Sequence, residues 1–170
     1  MKKIKLETKP GEKKIVEFGP GRNPREDANI FVDLDPKLIK GLRNPIVWDL
    51  NKLPLPFEND SIDKIYLDSV VEHLDVPLAL FMKEIWRILK YGGEAELLLP
   101  NTYFLTKRVM FMIGILHNNF RPQHRKYVNY SFVWHTIKEA GFWVEKEPYK
   151  FLPFKNLLLP RIEMILKKEP

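Results

Sequence analysis

A glycine turn between two apolar segments constrains the fold of this chain more than any other feature. An apolar segment ending at Phe18 is followed by Gly19-Pro20-Gly21, and a second one, which begins at Ile30, ends in Asp33. Glycine adopts backbone conformations closed to other residues and lets a ligand approach the main chain. An acid at the carboxyl end of the second strand can accept hydrogen bonds from ribose hydroxyls. The pattern indicates a site for an adenosine-containing cofactor, although a surface turn between two strands would use the same residues.

The spacing after the turn narrows the choice of cofactor. Pro24 occupies the place of the third glycine of the dinucleotide fingerprint, and residues 22–29 leave little room for a full crossover helix. Because a pyrophosphate binds at the amino end of that helix, its shortening argues against NAD or FAD. S-adenosylmethionine carries no phosphate and fits better. Glu17 could hold its ammonium group directly or through water, with the glycine backbone against the amino-acid tail.

Short apolar runs bounded by Gly, Pro, Asn or Asp predict further strands of a buried sheet. The predicted strands are residues 14–18, 30–34, 46–48, 64–67, 94–99, 142–146 and 161–167. Apolar residues at helical spacing predict helices over 77–90 and 131–141, with Gly92, Gly93 and Gly141 as stop signals. Alternating strands and helices imply a mainly parallel sheet with right-handed crossovers.

The composition bounds the class of protein. A chain of 170 residues with 45% hydrophobic content is long enough for one domain with a substantial core, so we expect residues 1–170 to form a single domain. The absence of cysteine excludes disulfides, thiolate zinc sites and a cysteine nucleophile, and with it the covalent mechanism of cytosine carbon-5 methylation. We predict no metal site.

The charge and the hydropathy of the chain identify its partners less clearly than the composition identifies its class. The formal net charge of +6 is compatible with RNA, DNA or an anionic lipid surface, but the basic residues are scattered, which favours a solvated surface. The basic amino terminus is not followed by the long apolar region of a signal peptide. The longest apolar run, 109–116, falls short of the about 20 residues that cross a bilayer. We therefore predict no transmembrane segment and a cytoplasmic location.

The polar candidates fall at the carboxyl ends of the predicted strands, where open parallel sheets bind ligands. They are Glu17 and Gly19 on the first strand, Asp33 on the second, Asp49 on the third, Asp68 and Ser69 on the fourth, and Pro100 and Asn101 on the fifth. Scattered surface acids would not be expected to follow this pattern. The alternative to a binding role for Asp33 is that Asp33 or Asp35 caps a helix that starts at Pro36. We assign this structural role to Asp35, because proline is favoured at the first helical position.

A series of motifs follows in order along the chain. They are Leu53-Pro54-Leu55-Pro56-Phe57, Asn59-Asp60-Ser61-Ile62-Asp63, Val71-Glu72-His73-Leu74, a helix with Glu84 and Arg87 that leads to Gly92-Gly93, and Leu99-Pro100-Asn101. With the glycine turn, this series resembles class I S-adenosylmethionine-dependent methyltransferases of type 11 over nearly the whole chain. The short first loop is most similar to a compact branch of predicted methyltransferases whose substrates are mostly unknown.

The resemblance implies a fold and a set of binding roles. The fold is an α/β, Rossmann-like three-layer sandwich with a seven-stranded, mainly parallel sheet whose last strand is antiparallel. By similarity, Glu17, Gly19 and Gly21 hold the methionine moiety, with Pro20 between the glycines, and Asp33 binds the ribose. The same comparison implies the remaining cofactor contacts: Leu34 packs on the adenine, Asp49 accepts from its amino group, Leu50 lies beside it, and Asp68 and Ser69 complete the site.

The acceptor side of the site is less defined. His73 and His124 are the candidate catalytic bases, since a base is needed when the acceptor is a weakly acidic hydroxyl or a protonated amine. Residues 103–130 are the candidate lid or acceptor-side insertion, over an apolar or aromatic acceptor. The same segment also fits an ordinary core helix with a solvated loop, or a helix that lies on a membrane surface.

Three functions remain open on the sequence. The leading one is methyl transfer from S-adenosylmethionine to oxygen, nitrogen or carbon of a small molecule, with S-adenosylhomocysteine as product. The second is an RNA or protein methyltransferase; Asp68-Ser69-Val70-Val71 stands where base-amine methyltransferases carry an Asp/Asn-Pro-Pro-aromatic motif, which disfavours nucleic acid. The third is a non-catalytic cofactor-binding module. An open site could also require a second subunit, so a homodimer is considered.

Overall fold

The computed structural model describes residue 6 and residues 8–101, 130–146 and 161–169. The strands are β1 (Ile15–Phe18), β2 (Ile30–Asp33), β3 (Pro45–Val47), β4 (Ile62–Asp68), β5 (Leu89–Pro100), β6 (Trp143–Lys146) and β7 (Arg161–Lys167). The helices are α1 (Pro36–Ile39), α2 (Leu78–Ile88) and α3 (Tyr130–Glu139), and a 3-10 turn spans Val71–His73.

The strands form one seven-stranded sheet in the order β3-β2-β1-β4-β5-β7-β6. Strands β1 to β5 pair in parallel, whereas β7 runs antiparallel to both β5 and β6. The predicted α/β fold with a seven-stranded sheet and an antiparallel last strand is confirmed. Chain order reverses between β1 and β4, which is where such sheets bind ligands at the carboxyl ends of their strands.

Helices lie on both faces of the sheet, which gives the three layers. One face carries alternate apolar residues of the central strands, such as Val16, Phe18 and Leu67, and packs against the buried stripe of α2 and against α3. On the other face, Phe31 of β2 packs with Ile39 of α1 and with Ala28 in a smaller cluster. Burial of these apolar side chains is the main driving force for the arrangement.

The connection between β1 and β2 contains no helix. Residues 19–29 form turns and irregular backbone, as the short spacing predicted, and Gly19 and Gly21 both have positive φ values, 62° and 61°. The helix that follows β2 is a single turn. Asp35 caps it, since its Oδ1 accepts the backbone N–H of Lys37 at 2.9 Å and Pro36 occupies the first turn. The structural interpretation of Asp35 is therefore confirmed.

The end of α2 differs from the expectation. The helix ends at Ile88, and β5 begins at once with Leu89, so Gly92 and Gly93 lie within the strand instead of terminating the helix. A Cβ on Gly93 would stand 2.9 Å from the carbonyl oxygen of Lys90 and 3.0 Å from that of Asp63. The glycine is thus required by close backbone packing at this end of the sheet.

Two charged side chains of α2, Glu84 and Arg87, form an ion pair with each other and bind the backbone of the Leu-Pro-Leu-Pro-Phe motif. Glu84 Oε1 accepts the N–H of Leu55 at 2.6 Å, and the Arg87 guanidinium donates to the carbonyl oxygens of Leu55 at 3.2 Å and Phe57 at 3.0 Å. Arg87 Nε also donates to Glu84 Oε2 at 2.9 Å. Two motif residues on the helix therefore satisfy the backbone of the loop that precedes β4.

We expect Arg87→Ala to lower the free energy of unfolding by roughly 2 kcal/mol, because the loop carbonyls and Glu84 lose charge-assisted hydrogen bonds. Urea denaturation followed by circular dichroism measures the change. Lys83→Ala, at an exposed position of the same helix, is the control and should change the value by less than about 0.5 kcal/mol. Equal effects of the two substitutions would contradict the assigned role of Arg87.

The candidate lid, residues 103–130, lies outside the described residues except for Tyr130, which begins α3. Among the helices that the structure describes, none combines the length and the apolar character needed to cross a membrane. All described strands belong to one sheet; that residues 1–170 form a single domain stays a prediction.

Candidate cofactor and acceptor site

The carboxyl ends of the first five strands form one continuous edge. The N–H of Gly19, after β1, donates to the carbonyl of Val32 in β2 at 2.8 Å, and the N–H of Trp48, after β3, donates to that of Asp33 at 3.0 Å. On the other side, the N–H of Ser69, after β4, donates to the carbonyl of Leu98 in β5 at 2.9 Å. The candidate residues at these strand ends therefore lie along the same edge of the sheet, the one formed by the carboxyl ends of its parallel strands.

The two glycines of the turn have different surroundings. A Cβ on Gly19 would stand 2.9 Å from Cγ2 of Val70, so this position joins the end of β1 tightly to the segment after β4. Nothing lies within 4 Å of the corresponding position on Gly21. Pro20 between them is buried. The turn therefore offers an open stretch of main chain at Gly21, next to a closely packed one at Gly19.

Glu17 lies on β1 just below this turn and is buried. Its Oε2 accepts the backbone N–H of Arg25 at 2.8 Å, which ties the loop between β1 and β2 to the strand. Burial raises the pKa of the Glu17 carboxyl, and the charges of Asp68 and Asp27 act in the same direction, against the opposing effect of Arg25. A cationic ligand beside Glu17 would favour its charged form.

Asp33 and Leu34 lie at the end of β2. Asp33 Oδ1 accepts the N–H of Asp35 at 2.8 Å, which fixes the carboxylate at the strand end and leaves it half-buried. The side chain of Leu34 is 66% exposed. A carboxylate that can accept from a diol and an exposed apolar side chain next to it are the groups that a ribose and an adenine require.

The residues after β3 are partly structural. Asp49 Oδ1 accepts from the N–H of Asn51 at 3.0 Å and from its side-chain amide at 3.2 Å, and Leu50 is buried in the main core. Asn51 Oδ1 in turn accepts the N–H groups of Asp75 at 2.6 Å and Val76 at 3.2 Å. Asn51 thus joins the β3 end to the segment before α2, a role that its surroundings in the sequence did not indicate.

Asp68 and Ser69 end β4 and are both exposed. Ser69 has a positive φ of 55°, which is uncommon for a residue other than glycine, and its Oγ donates to Asp68 Oδ1 at 3.0 Å. Strained backbone of this kind concentrates at functional sites. The conformation turns the chain sharply where β4 leaves the sheet.

The 3-10 turn that follows brings Glu72 and His73 to the same edge. Glu72 is 1% exposed, and its Oε2 has no hydrogen-bond partner among the described residues. Burial raises the pKa of the Glu72 carboxyl, and the nearby charge of Asp68 acts in the same direction. A hydrogen bond from the backbone N–H of Glu72 itself and the charge of His73 lower this pKa. His73 is half-buried, and its N–H donates to the carbonyl of Val70 at 3.0 Å. The sequence analysis assigned no role to Glu72.

The raised pKa of Glu72 predicts a dependence of stability on pH. A carboxyl whose folded-state pKa exceeds its unfolded value contributes fully below the unfolded value, 4.5, and that contribution is lost as pH rises through the folded-state pKa. We expect Glu72→Gln to remove this loss, so that the variant becomes more stable relative to the wild type as the pH rises above 4.5. Glu139→Gln, at an exposed site on α3, should follow the wild type at every pH; parallel curves for all three proteins would refute the prediction.

Of the two candidate bases, the structure describes only His73, because His124 lies outside the described residues. Among described residues, no group of three or more His, Asp or Glu side chains could hold a metal ion. The site thus combines buried carboxyls, an open glycine backbone and an exposed apolar side chain. This set fits a ligand with an ammonium group, a ribose and an adenine, as in S-adenosylmethionine.

Comparisons with known proteins relate this chain to methyltransferases. The profile of a methyltransferase domain family matches residues 19–97, which contain the turn, Asp33 and the end of β4. No curated protein matches the chain.

Solved structures with the same fold are numerous. A S-adenosylmethionine-dependent methyltransferase from Archaeoglobus fulgidus is 20% identical, with a TM-score of 0.70 over 93% of this chain and 87% of its own. Another from Thermotoga maritima is 18% identical, with a TM-score of 0.69 over 93% and 83%. A Haloferax volcanii methyltransferase, in complex with the activator Trm112, is 15% identical, with a TM-score of 0.64 over 93% and 83%. Over residues 19–97 the chain is therefore similar to the methyltransferase domain family, and it has the fold of these S-adenosylmethionine-dependent methyltransferases.

Proposed function

We propose that this enzyme methylates oxygen, nitrogen or carbon of a small-molecule acceptor and binds its cofactor along the carboxyl edge of the sheet. The single observation that carries the proposal is the meeting of the candidate residues at this edge, through the hydrogen bonds of Gly19, Trp48 and Ser69 to neighbouring strands. The cofactor supplies an electrophilic methyl group on a sulfonium. Positioning an acceptor in line with that methyl provides much of the catalysis.

Each part of the proposed cofactor site has its own support. Glu17 is the proposed counter-charge for the ammonium group, with Gly19, Pro20 and Gly21 alongside the amino-acid tail. Asp33 is proposed to accept the ribose hydroxyls. The proposed adenine contacts come from the exposed Leu34 and from Asp49 and Leu50, of which Leu50 also packs in the core. Asp68 and Ser69 are proposed to close the site at the end of β4.

His73 is the proposed base or orienting group on the acceptor side. It lies in the 3-10 turn after β4, near the carboxyl edge of the sheet. The charge of His73 lowers the pKa of the neighbouring Glu72 carboxyl. An imidazole at this place can take a proton from an acceptor that loses one during methylation.

A size-fractionated cell extract tests the acceptor class. The enzyme and S-adenosylmethionine with a labelled methyl group are incubated with the small-molecule fraction and with the macromolecular fraction. We expect label in the small-molecule fraction only, and none with Asp33→Ala. Label confined to RNA or protein would contradict the small-molecule acceptor while leaving methyltransferase activity established.

The second candidate is an RNA or protein methyltransferase that works with a partner protein. The net charge of +6 favours an anionic partner, and the Haloferax volcanii neighbour was solved with an activator. Salt-sensitive retention on RNA would support it.

A homodimer is the proposed assembly. Light scattering over a range of concentrations tests it, since a mass that stays at the monomer value would exclude it.

A further inference from the structure

The loop between β1 and β2 is ordered without a helix. Residues 19–29 form turns and irregular backbone, and they include both the glycine turn and the N–H of Arg25 that binds Glu17. Ordering such a segment costs conformational entropy, which contacts with the rest of the fold must offset. Asn29 binds the backbone beside β1 at the end of the loop. In the middle of the loop, the contacts centre on Tyr66 of the sheet.

Tyr66 lies in β4, where it is the register partner of Glu17 in the neighbouring β1, and only 3% of it is exposed. Its hydroxyl donates to Oδ2 of Asp27 in the loop. The guanidinium of Arg25, also in the loop, lies over its ring at 4.4 Å from the centroid. Two loop residues therefore contact one buried tyrosine. With Lys64 of β4, these three residues form what we call the Tyr66 cluster.

Charged side chains of the sheet support the cluster. Lys64 Nζ lies 4.7 Å from the centroid of the Tyr66 ring and pairs with Glu94 at 2.8 Å and with Glu96 at 2.7 Å. Glu96 in turn lies 3.9 Å from the guanidinium of Arg25. The loop cation thus contacts an aromatic ring and approaches a carboxylate that a lysine of the sheet holds in place.

The hydroxyl of Tyr66 is a donor at neutral pH. Burial raises its pKa, and the hydrogen bond to Asp27 acts in the same direction, against the opposing effect of Lys64. The phenol therefore keeps its proton, and the carboxyl of Asp27 accepts the hydrogen bond.

One further hydrogen bond connects the Tyr66 cluster to Glu17. The backbone N–H of Arg25 donates to Oε2 of Glu17 at 2.8 Å, so a displacement of Arg25 would release this oxygen. Within the described part of the chain, Oε1 of Glu17 accepts no hydrogen bond. Because one oxygen is bound by the loop and the other is not, the carboxyl has a defined orientation with one oxygen left for a ligand.

We propose that Tyr66 is a positioning residue for the cofactor: through Asp27 and Arg25 it holds the Glu17 carboxyl in the orientation that binds the ammonium group of S-adenosylmethionine. This inference rests on the proposed function and adds to it a residue that does not touch the ligand. The Tyr66 cluster takes the place of the crossover helix that the short connection cannot hold. It acts on the amino-acid end of the cofactor, since the proposed ribose and adenine contacts come from residues at the ends of β2 and β3.

Two ligands that differ at the amino-acid end test the proposal. S-adenosylhomocysteine carries the amino-acid tail, whereas methylthioadenosine has the same adenosine and sulfur with a methyl group instead of the tail. Both are titrated calorimetrically into the same sample, so the ratio of the two affinities does not depend on the fraction of folded protein. We expect Tyr66→Phe to lower the affinity for S-adenosylhomocysteine roughly tenfold, as for one lost hydrogen bond to a charged group, and to leave that for methylthioadenosine within about twofold.

Matched variants separate positioning from a general loss of structure. Tyr91→Phe, at an exposed tyrosine of β5, should leave both affinities unchanged. Asp33→Ala should lower both alike, because the ribose is common to the two ligands. Asp27→Ala should reproduce Tyr66→Phe, and the double variant should bind no more weakly than either single variant, since both substitutions remove the same hydrogen bond.

The same titrations distinguish the possible failures. Wild-type protein that binds neither S-adenosylmethionine nor S-adenosylhomocysteine would overturn the proposed function itself. If the wild type binds them, an unchanged affinity for S-adenosylhomocysteine in Tyr66→Phe, or an equal loss for both ligands, would overturn the positioning role alone. Additive losses in the double variant would show that Tyr66 does not act through Asp27 and would overturn it as well.

Discussion

Asp33→Ala should lower the affinity for S-adenosylmethionine at least about 100-fold. The carboxylate is proposed to accept both ribose hydroxyls, and each hydrogen bond to a charged group is worth about 1.5–3 kcal/mol. Two such bonds exceed the roughly 2.7 kcal/mol that corresponds to a factor of 100. Calorimetric titration measures the affinity, and circular dichroism verifies that the variant is folded.

The neighbouring Asp35→Ala is the matched control for Asp33→Ala. Asp35 caps α1 through Lys37, so its loss should cost about 1 kcal/mol of folding free energy and leave cofactor affinity within a few-fold of the wild type. The two acids stand two residues apart, and only one is assigned to the cofactor. If both substitutions weakened binding equally, the ribose role of Asp33 would have to be abandoned.

Gly19→Ala should be the most destabilising alanine substitution in the glycine turn. The new Cβ would lie 2.9 Å from Cγ2 of Val70, and the backbone at a φ of 62° is strained for alanine. Overpacking costs about 1–3 kcal/mol, and the left-handed conformation about 1–2 kcal/mol more. We expect a loss of roughly 2–5 kcal/mol in the free energy of unfolding, measured by urea denaturation.

Two other glycines separate the causes of that loss. Gly41→Ala shares the positive φ but has open space around the new atom and lies in the connection between α1 and β3, so it should lose only the roughly 1–2 kcal/mol of strain. Gly21→Ala should match Gly41→Ala in stability but bind the cofactor roughly tenfold less well, because a methyl group obstructs close approach to the main chain. Equal losses of stability at Gly19 and Gly41 would show that contact with Val70 has no energetic role.

The sheet could be predicted because its signals are local. Apolar runs between Gly, Pro and Asp marked every described strand, and the spacing from Gly21 to Ile30 excluded a full helix in the first connection. The start of β5 at Leu89 could not be predicted, because it depends on pairing with β4 and not on local propensity. Gly93 resembled a helix stop but serves the close approach of Lys90 and Asp63.

The positions of the candidate residues were predictable where they depend on a strand end, since Glu17 lies on β1 and Asp33 ends β2; their binding roles stay predictions. It was not predictable where a role depends on partners distant in sequence. Asn51 binds the backbone of Asp75 and Val76, and Glu84 binds that of Leu55; neither contact leaves a local pattern. Glu72 stood within a recognised motif, but its burial and its unpartnered oxygen become visible only in three dimensions.

Calorimetric titration of the wild-type protein with S-adenosylmethionine and S-adenosylhomocysteine tests the central claim most directly. The account predicts saturable binding of both ligands, with one cofactor per chain. Absence of binding by either ligand, to protein shown to be folded by circular dichroism, would contradict the assignment of the sheet edge as a cofactor site.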